Sequence, residues 1–540
     1  MTAVAMEEDK KNMSQHIEGS IRDEGSEPVK SESSDGRFDG DVNLSGPGDT
    51  IYLIPTPSPD PRDPLNLPLM RKLVVMGIVA LFSSVGLSMV SGLGGLLNLF
   101  IPIYVAEGKG YADITHLMTY PTLFMGIGNI IAMPIALAVG RRPVFLVSCI
   151  VLVLSCALCA TQQSYEWHLA ARMVLGLAAG QSEALCPLII QESFFLHERG
   201  KYQMIFTAAG NILTTIFTLL TSYIGAAIGA KGWYSIGAGV AGLVLIISVF
   251  LLPETKYERP LSAYQGRDAT VSTFAAGAED PQQASYPIQR IATTDVRELD
   301  LVNYKPRTLA SDMRLFVNKP DWDEGIRTLH RMFTIMLFPD ILWAFLLNGL
   351  TLGDKNISFA MAGQIVVSFC ALPLLGWGSD WAVKYLARRN GGVHQPQYRL
   401  VTLVLPTIAG VISAILYGQA AAHPERLHWF SVVFAVSAYY FAFIGANQVG
   451  IVYSLDSYPT RAGPALVVIC ATRGILSFGT SYGITPFIEL RGYDGAFLIY
   501  GILTGVLGAM GIVVYFFSAR IRAFCSRYAV RTSDTKPSYS

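Results

Sequence analysis

Long stretches of this chain carry no charged side chain at all: Leu73 to Ala106, Pro143 to Tyr165, Tyr202 to Ala230, Gly232 to Pro253, Asn356 to Ser379, Phe430 to Leu455 and Ala496 to Ala519. Crossing about 30 Å of hydrocarbon as helix takes roughly 18 or more apolar residues. Buried soluble helices are rarely that long and never so numerous in one chain. The feature leaves one fold class, an all-α integral membrane protein. Composition agrees: 15% of residues are charged, against about 25% in an average soluble chain. Lys plus Arg and Asp plus Glu are both 40, so net charge selects no partner and gives no reason to expect nucleic acid.

Apolar windows place about twelve transmembrane helices, numbered here as spans 1 to 12, at 73–98, 114–138, 143–162, 168–190, 203–228, 233–252, 334–353, 357–380, 399–421, 429–453, 464–488 and 494–518. Residues 1–70 are rich in Ser, Asp, Glu, Gly and Pro and read as a disordered tail. That tail shows no signal-peptide pattern, so span 1 is expected to direct insertion. A polar central loop, 254–331, separates an N-terminal six-helix bundle (71–253) from a C-terminal one (332–519), and 520–540 reads as a C-terminal tail. Six plus six around a long loop is the organisation of a duplicated helical transporter. Basic residues orient it. Arg71-Lys72, Arg141-Arg142, Arg199-Lys201, Lys384-Arg388-Arg389, Arg461, Arg520 and Arg522 fall on one side, against mostly single residues (Lys109, Lys231, Lys355, Arg426, Arg491) on the other. Both termini are expected in the cytoplasm.

Charges inside a span are costly, about 2.5–3.5 kcal/mol at a helix centre, and need partners or water. Arg172 and Glu183 in span 4 and Arg473 in span 11 stand out. A continuous helix sets Arg172 and Glu183 three turns apart on one face, about 16 Å, too far for a direct bond. Glu183 is either a proton carrier or a hydrogen-bonding partner of a neighbouring helix. Arg172 is either a coupling residue or a wall brace. Arg473 is expected to face a central cavity. Tyr440, Asn447 and Gln448 in span 10 and Asn211 in span 5 offer the aromatic faces and amides from which ligand pockets are built, or ordinary interhelical packing. Asn356-Ile-Ser is a weak glycosylation sequon in an outside loop.

The seven cysteines follow no metal-ligand spacing and read as apolar thiols. The histidines form no H-E-x-x-H pattern, so neither a metal site nor a membrane enzyme is expected. No G-x-x-x-x-G-K-[ST] loop is present, which argues against ATP as the energy source. No cofactor is expected.

Spacing around Arg141-Arg142 says more. "VGRRPVFLV" resembles the end of the loop 2–3 signature of the major facilitator superfamily, G-x-x-x-D-R-x-G-R-R. Gly140, Arg141 and Arg142 match; Leu137 and Ala138 stand at its Asp-Arg pair and Met133 at its first glycine. A second copy lies between spans 8 and 9, where Gly376 and Asp380 fit G-x-x-x-D. "ARMVLGLAAGQSEA" is similar to the family's R-x-x-x-G element at Arg172 and Gly176. "DPLNLPLMRK", "PETKYERP", "RRNGGVHQPQYRL" and "YSLDSYPTRAGPALVV" look like the fungal drug:proton antiporter-type branch. The resemblance implies two six-helix bundles rocking about a central site. It implies proton-coupled export of a drug, toxin or secondary metabolite across the plasma membrane, or the vacuolar membrane. Span 5 carries Phe217 and Thr218 where export members carry Gly-Pro, which keeps uptake of a nutrient or polyamine-like cation open. Arg141, Arg142, Asp380, Glu198 and Asp456 are expected at a cytoplasmic gate, with a plain topology signal as the alternative for the arginine pair.

Overall fold

The computed structural model describes residues 42–44, 50–161, 164–257, 259, 261–264, 291–293, 299–301, 304–316, 320–350 and 360–529. All belong to the second of two compact units, Asp39–Ser540; the first, Met1–Phe38, lies outside the described residues. Among the described residues ten helices are long and apolar enough to cross a membrane. Helices suit that setting because each satisfies its own backbone hydrogen bonds.

Span 1 is Leu69–Ser91, continued by a 3-10 turn (Gly92–Leu96) and Leu97–Ala106; span 2 is Tyr111–Val139 and span 3 Arg141–Thr161. Spans 5 and 6 form one helical segment, Leu196–Leu251, which breaks at Gly229 (φ 72°, ψ 176°). Spans 11 and 12 repeat the device in Ala462–Ala529 at Gly492 (φ 73°, ψ 169°). Positive φ with extended ψ is glycine territory, so one residue turns the chain where a loop would otherwise be needed. Both ends of the first hairpin return to the same place: Arg141 bonds Glu192 just before it and Glu254 just after it. Counting that hairpin twice and adding span 7 (Pro339–Leu350, bordered by residues outside the description) gives the twelve passes. Spans 9 and 10 contain Val404–Ala422 and Trp429–Ser457. Val147, Leu154, Ile246 and Phe516 are exposed apolar side chains on these helices, as lipid-facing positions should be.

Prolines shape two spans locally. Span 4 is Tyr165–Ala179, a 3-10 turn Gly180–Ser182, then Leu185–Ser193. Pro187 has no N–H to offer the carbonyl of Glu183 four residues back, and the helix is interrupted there. Span 8 runs Ala360–Ala371, then a π segment Leu372–Trp377 containing Pro373, then Gly378–Arg389.

The two halves meet through shared apolar clusters. Met133, Ala184 and Leu188 of the first half pack with Ile451, Leu455 and Ala465–Ala471 of the second. Met204 and Ala208 of span 5 pack with Ala371, Leu375 and Ile444. Spans 2 and 11 approach so closely that a Cβ on Gly126 would lie 2.8 Å from the Ala471 carbonyl oxygen.

The polar segments depart from the sequence expectation in three places. Part of the N-terminal tail is built into the fold: β1 (Val42–Asn43) pairs antiparallel with β2 (Val393–His394), and residues 50–68 cross the Arg-rich end of the bundle. Few apolar residues are needed there, because the strap is held mainly through its backbone. The central loop ends earlier than 331, since an amphipathic helix, Trp322–Met336, leads into span 7. Span 12 continues to Ala529, so Arg522 is no tail residue: it is fully buried and donates to Gln397 at 3.0 Å.

Candidate functional site

At the level of the span 4 break, three of the expected residues converge across the two halves. Arg473 of span 11 forms an ion pair with Glu183 of span 4. Its second guanidinium nitrogen, Nη1, donates to Asn447 Oδ1 of span 10 at 2.9 Å. The carbonyl of Glu183, deprived of a helical partner by Pro187, accepts from Cys470 Sγ at 3.0 Å. The Glu183 side chain is 17% exposed and that of Arg473 7%. One acid and one cation thus face each other at the join of the halves, the acid being the more exposed of the two. Both alternatives for Glu183 remain compatible with this place: it bonds a neighbouring helix, and it is a titratable group where the halves meet.

Gln448 lies one residue from Asn447 and accepts from Thr207 of span 5 at 3.3 Å, a further contact between the halves; its Nε2 is buried without a partner. Tyr440 packs against the span 5–span 8 cluster beside Phe443. Asn211 stands a turn further along span 5, half-buried, and its carbonyl accepts from Thr215 at 2.8 Å.

Arg172 is elsewhere. It is fully buried inside the first half, where Nε donates to Leu117 O (2.7 Å), Nη1 to Met89 O (3.2 Å) and Tyr234 Oη (2.8 Å), and Nη2 to Val90 O (2.7 Å). It ties spans 1, 2, 4 and 6 together, and the helix between it and Glu183 is interrupted at the Gly180–Ser182 turn. Tyr234 carries the network on to His168 and Tyr104.

At the Arg-rich end a second cluster joins the halves. Asp456 (span 10) accepts from Arg199 Nη1 of span 5 at 2.8 Å and from Arg399 Nε at 3.0 Å. Arg399 Nη1 also donates to Asp380 Oδ1 at 2.6 Å, and Asp380 Oδ2 accepts the backbone N–H of Lys201 at 2.7 Å. Two guanidinium groups therefore face two carboxylates, all nearly dry. A Cβ on Gly200 would lie 2.3 Å from Asp380 Oδ1, so glycine is required for this approach. His394, on the neighbouring loop, is completely buried; burial, aided by Arg399, Arg522 and Arg199 against the pull of Asp456, lowers its pKa to about 3.

Arg141 and Arg142 belong to a separate set of contacts. Arg141 pairs with Glu192 at 2.5 Å, and its N–H donates to Glu254. Arg142, 1% exposed, donates to the carbonyls of Val249 and Leu252 at the end of span 6 and to those of Met313 and Arg314 in the central loop. A cation on the free carbonyls of a helix C-terminus is favourable. Neither arginine meets Asp456, and Glu198 occupies the first turn of the span 5 helix, where an acid suits the dipole. Asn356 lies outside the described residues.

The sequence marked Arg199 only as an orienting charge and did not single out Arg399, Glu192 or Glu254, although Arg399 and Glu254 lie inside motifs quoted above. Their signal was charge at the end of a span, which reads first as a solvated loop.

Comparison with known proteins accords with this architecture. An uncharacterized MFS-type transporter of Schizosaccharomyces pombe is 21% identical over 88% of this chain and 89% of its own length. Efflux pump vrtL of Penicillium aethiopicum is 25% identical over 36% of this chain and 37% of its own. A solved structure of the proton:xylose symporter XylE is 12% identical, with a TM-score of 0.51 over 84% of this chain and 96% of that one. The family model described as Major Facilitator Superfamily matches residues 76–463. That match covers well over half of a chain whose helices form two bundles of six, and the chain belongs to the Major Facilitator Superfamily.

Proposed function

We propose that this transporter exports a small organic molecule, a drug, toxin or secondary metabolite, in exchange for protons by alternating access. The single observation that carries the reading is the Glu183–Arg473–Asn447 contact, where a partly exposed acid from one half meets a buried cation and an amide from the other at a helix break. In discontinuous-helix transporters such breaks form the site of substrate and ion binding. Protonation of Glu183 releases Arg473, and a substrate group or the opposite state of the bundle takes it over. Proton entry is thereby linked to which side is open. The likeness to an efflux pump supports the outward direction.

The Asp380–Arg399–Asp456–Arg199 cluster acts in this reading as the gate on the cytoplasmic side. Arg141 and Arg142 hold loop 2–3 to span 6 and the central loop and keep the first half intact at that face. Both termini are cytoplasmic and the membrane is the plasma membrane, with the vacuolar membrane as the second location. Uptake of a nutrient or cation uses the same pair in the reverse sense; Phe217 and Thr218 at the Gly-Pro position of span 5 favour keeping it as the second reading.

Glu183→Gln keeps the shape and an acceptor for Arg473 but removes titration. The mutant is expected to bind substrate and exchange it while losing accumulation driven by an imposed pH gradient in proteoliposomes. Equal pH-dependent accumulation by mutant and wild type removes Glu183 as the carrier.

A further inference from the structure

We propose that Ser58 is a phosphorylation site for a proline-directed Ser/Thr kinase, and that its phosphate unfastens the N-terminal strap from the Arg-rich end. The proposal rests on the cytoplasmic placement of that end given above.

Ser58 lies in the run Thr56-Pro57-Ser58-Pro59, which offers two acceptors followed by proline. Thr56 is buried and Ser58 half-buried. Ser58 is also the hub of its turn. Its Oγ bonds Tyr257 Oη at 2.7 Å and accepts the Asp60 N–H at 3.3 Å. Its N–H donates to Asp63 Oδ2 at 3.0 Å, and its carbonyl accepts from Asn66 Nδ2 at 2.7 Å. This turn pins the strap to the foot of span 1 and the start of the central loop.

Upstream of the hub the strap touches both halves. The Leu196 N–H of the first half donates to Ile54 O at 2.7 Å. The Leu53 N–H donates to Ile291 O and the Thr293 N–H to Ile51 O, each at 2.9 Å, on either side of a Tyr52–Ala292 bridge. Leu44 N–H donates to Gly392 O of the second half at 2.9 Å, next to the β1–β2 pair. Val42, Leu44 and Ile54 pack with Leu196 of one half and Val383 and Tyr398 of the other. Opening this end pulls the strap off one side.

In the transfer, Ser58 Oγ attacks the γ-phosphorus of ATP. The Oγ–P bond forms as the bond to the β,γ-bridging oxygen breaks, ADP leaves with that electron pair, and the hydroxyl proton passes to the kinase's base. The product carries about −1.5 to −2 charge and three strong acceptors. It faces the Asp60 and Asp63 carboxylates and the Tyr257 hydroxyl. The nearby cations are already engaged: Arg259 with Asp63 at 2.6 Å, both side chains 4% exposed or less, Arg62 with Asp60 at 3.9 Å, and Lys72 on the Leu65 carbonyl at 2.9 Å. Arg259 drawn to the phosphate leaves Asp63 buried without its cation. Arg259 left in place sets a dianion beside two carboxylates. Either way the turn comes apart. A kinase takes its acceptor extended, so it meets Ser58 while the strap is detached, and the phosphate then keeps it off.

The test uses full-length protein in nanodiscs, a proline-directed kinase with ATP, peptide mass spectrometry to map the phosphate, and hydrogen exchange. Phosphate is expected on Ser58, with amide exchange at Leu53, Thr56 and Leu196 faster by about tenfold or more and peptides of span 3 unchanged. Ser58→Glu is expected to reproduce the effect in part without kinase, and Ser58→Ala to take no phosphate. Phosphate mapped only to other residues, or a phosphorylated Ser58 with unchanged strap exchange, overturns the proposal. Both faces are open in a nanodisc, so these arms do not depend on orientation. An N-terminal tag reached from outside intact cells overturns the orientation, and the proposal with it.

Discussion

Arg199→Ala isolates what the contact between the halves contributes to keeping the Arg-rich end closed. Arg199 and Asp456 meet at 2.8 Å with side chains 4% and 0% exposed. A hydrogen bond to a charged group nets about 1.5–3 kcal/mol, and burial puts this one in the upper part of that range. Two features of the site then decide the size. Removing Arg199 does not orphan Asp456, which keeps Arg399 Nε at 3.0 Å. The Arg199 Nε is itself buried without a partner, and deleting that donor returns roughly 1 kcal/mol. The closed state therefore loses about 1–2 kcal/mol relative to the open one, a shift of about 5- to 30-fold in their ratio. Asp456→Ala is a poorer probe, because it leaves two buried guanidinium groups with one carboxylate, and the cost of about 3–5 kcal/mol falls on folding. The assay places a single cysteine at Ala208, buried where span 5 meets span 8, in a background without the native cysteines. Labelling by a water-soluble maleimide from the Arg-rich side is expected to quicken by the same 5- to 30-fold in Arg199→Ala. A rate within twofold of the parent refutes the assignment of this pair to the gate.

Further outcomes follow from neighbouring geometry. Arg142→Ala leaves buried carbonyls of span 6 and the central loop unpartnered; it is expected to lower Tm and surface abundance, with flux per surface molecule preserved, as read by thermal melts and quantified surface labelling. Gly200→Ala drives a methyl into Asp380 and Arg399 and is expected to favour the open Arg-rich end more strongly than Arg199→Ala in the same labelling assay. His394 is held neutral in the fold, with its pKa lowered to about 3, whereas the unfolded chain protonates it near 6.5. Falling pH below 6.5 therefore favours unfolding through this residue, down to about 3. His394→Gln is expected to flatten the acid side of the Tm–pH profile between those values; an unchanged profile refutes the buried neutral imidazole.

What the sequence made legible follows the physics of lipid. Charge-free runs set the spans, and the few charges inside them singled out Glu183 and Arg473, which the structure brings together. Arg172 was equally visible, but beside the Tyr234 hydroxyl its partners are backbone carbonyls of Met89, Val90 and Leu117, and carbonyls leave no mark in a sequence. The break at Glu183 was written in Pro187, yet a helical phase drawn through it misplaced Arg172 on the same face. The strap was invisible for a related reason: its order comes from main-chain bonds to Gly392, Ile291 and Ala263, and its composition is that of a tail. Asp456 and Asp380 were expected to act together, and the structure joins them through Arg399; Arg199 and Arg399 read as loop charges until the fold brought them to these two carboxylates.

The single-residue corners at Gly229 and Gly492 have a consequence for how this chain tolerates change. They occupy corresponding places in the two halves and share nearly the same backbone angles, so the internal duplication shows in the torsion of a single residue. A corner made of one residue has no slack. Adding a residue beside it turns the following helix by about 100° and carries it 1.5 Å along its axis. In span 6 that swings Tyr234 away from Arg172 and His168, and in span 12 it swings Ser518 away from Tyr453. Insertions that other surface turns absorb would here scramble the facing of a whole membrane helix, which makes these two corners rotational stops for the spans that follow them.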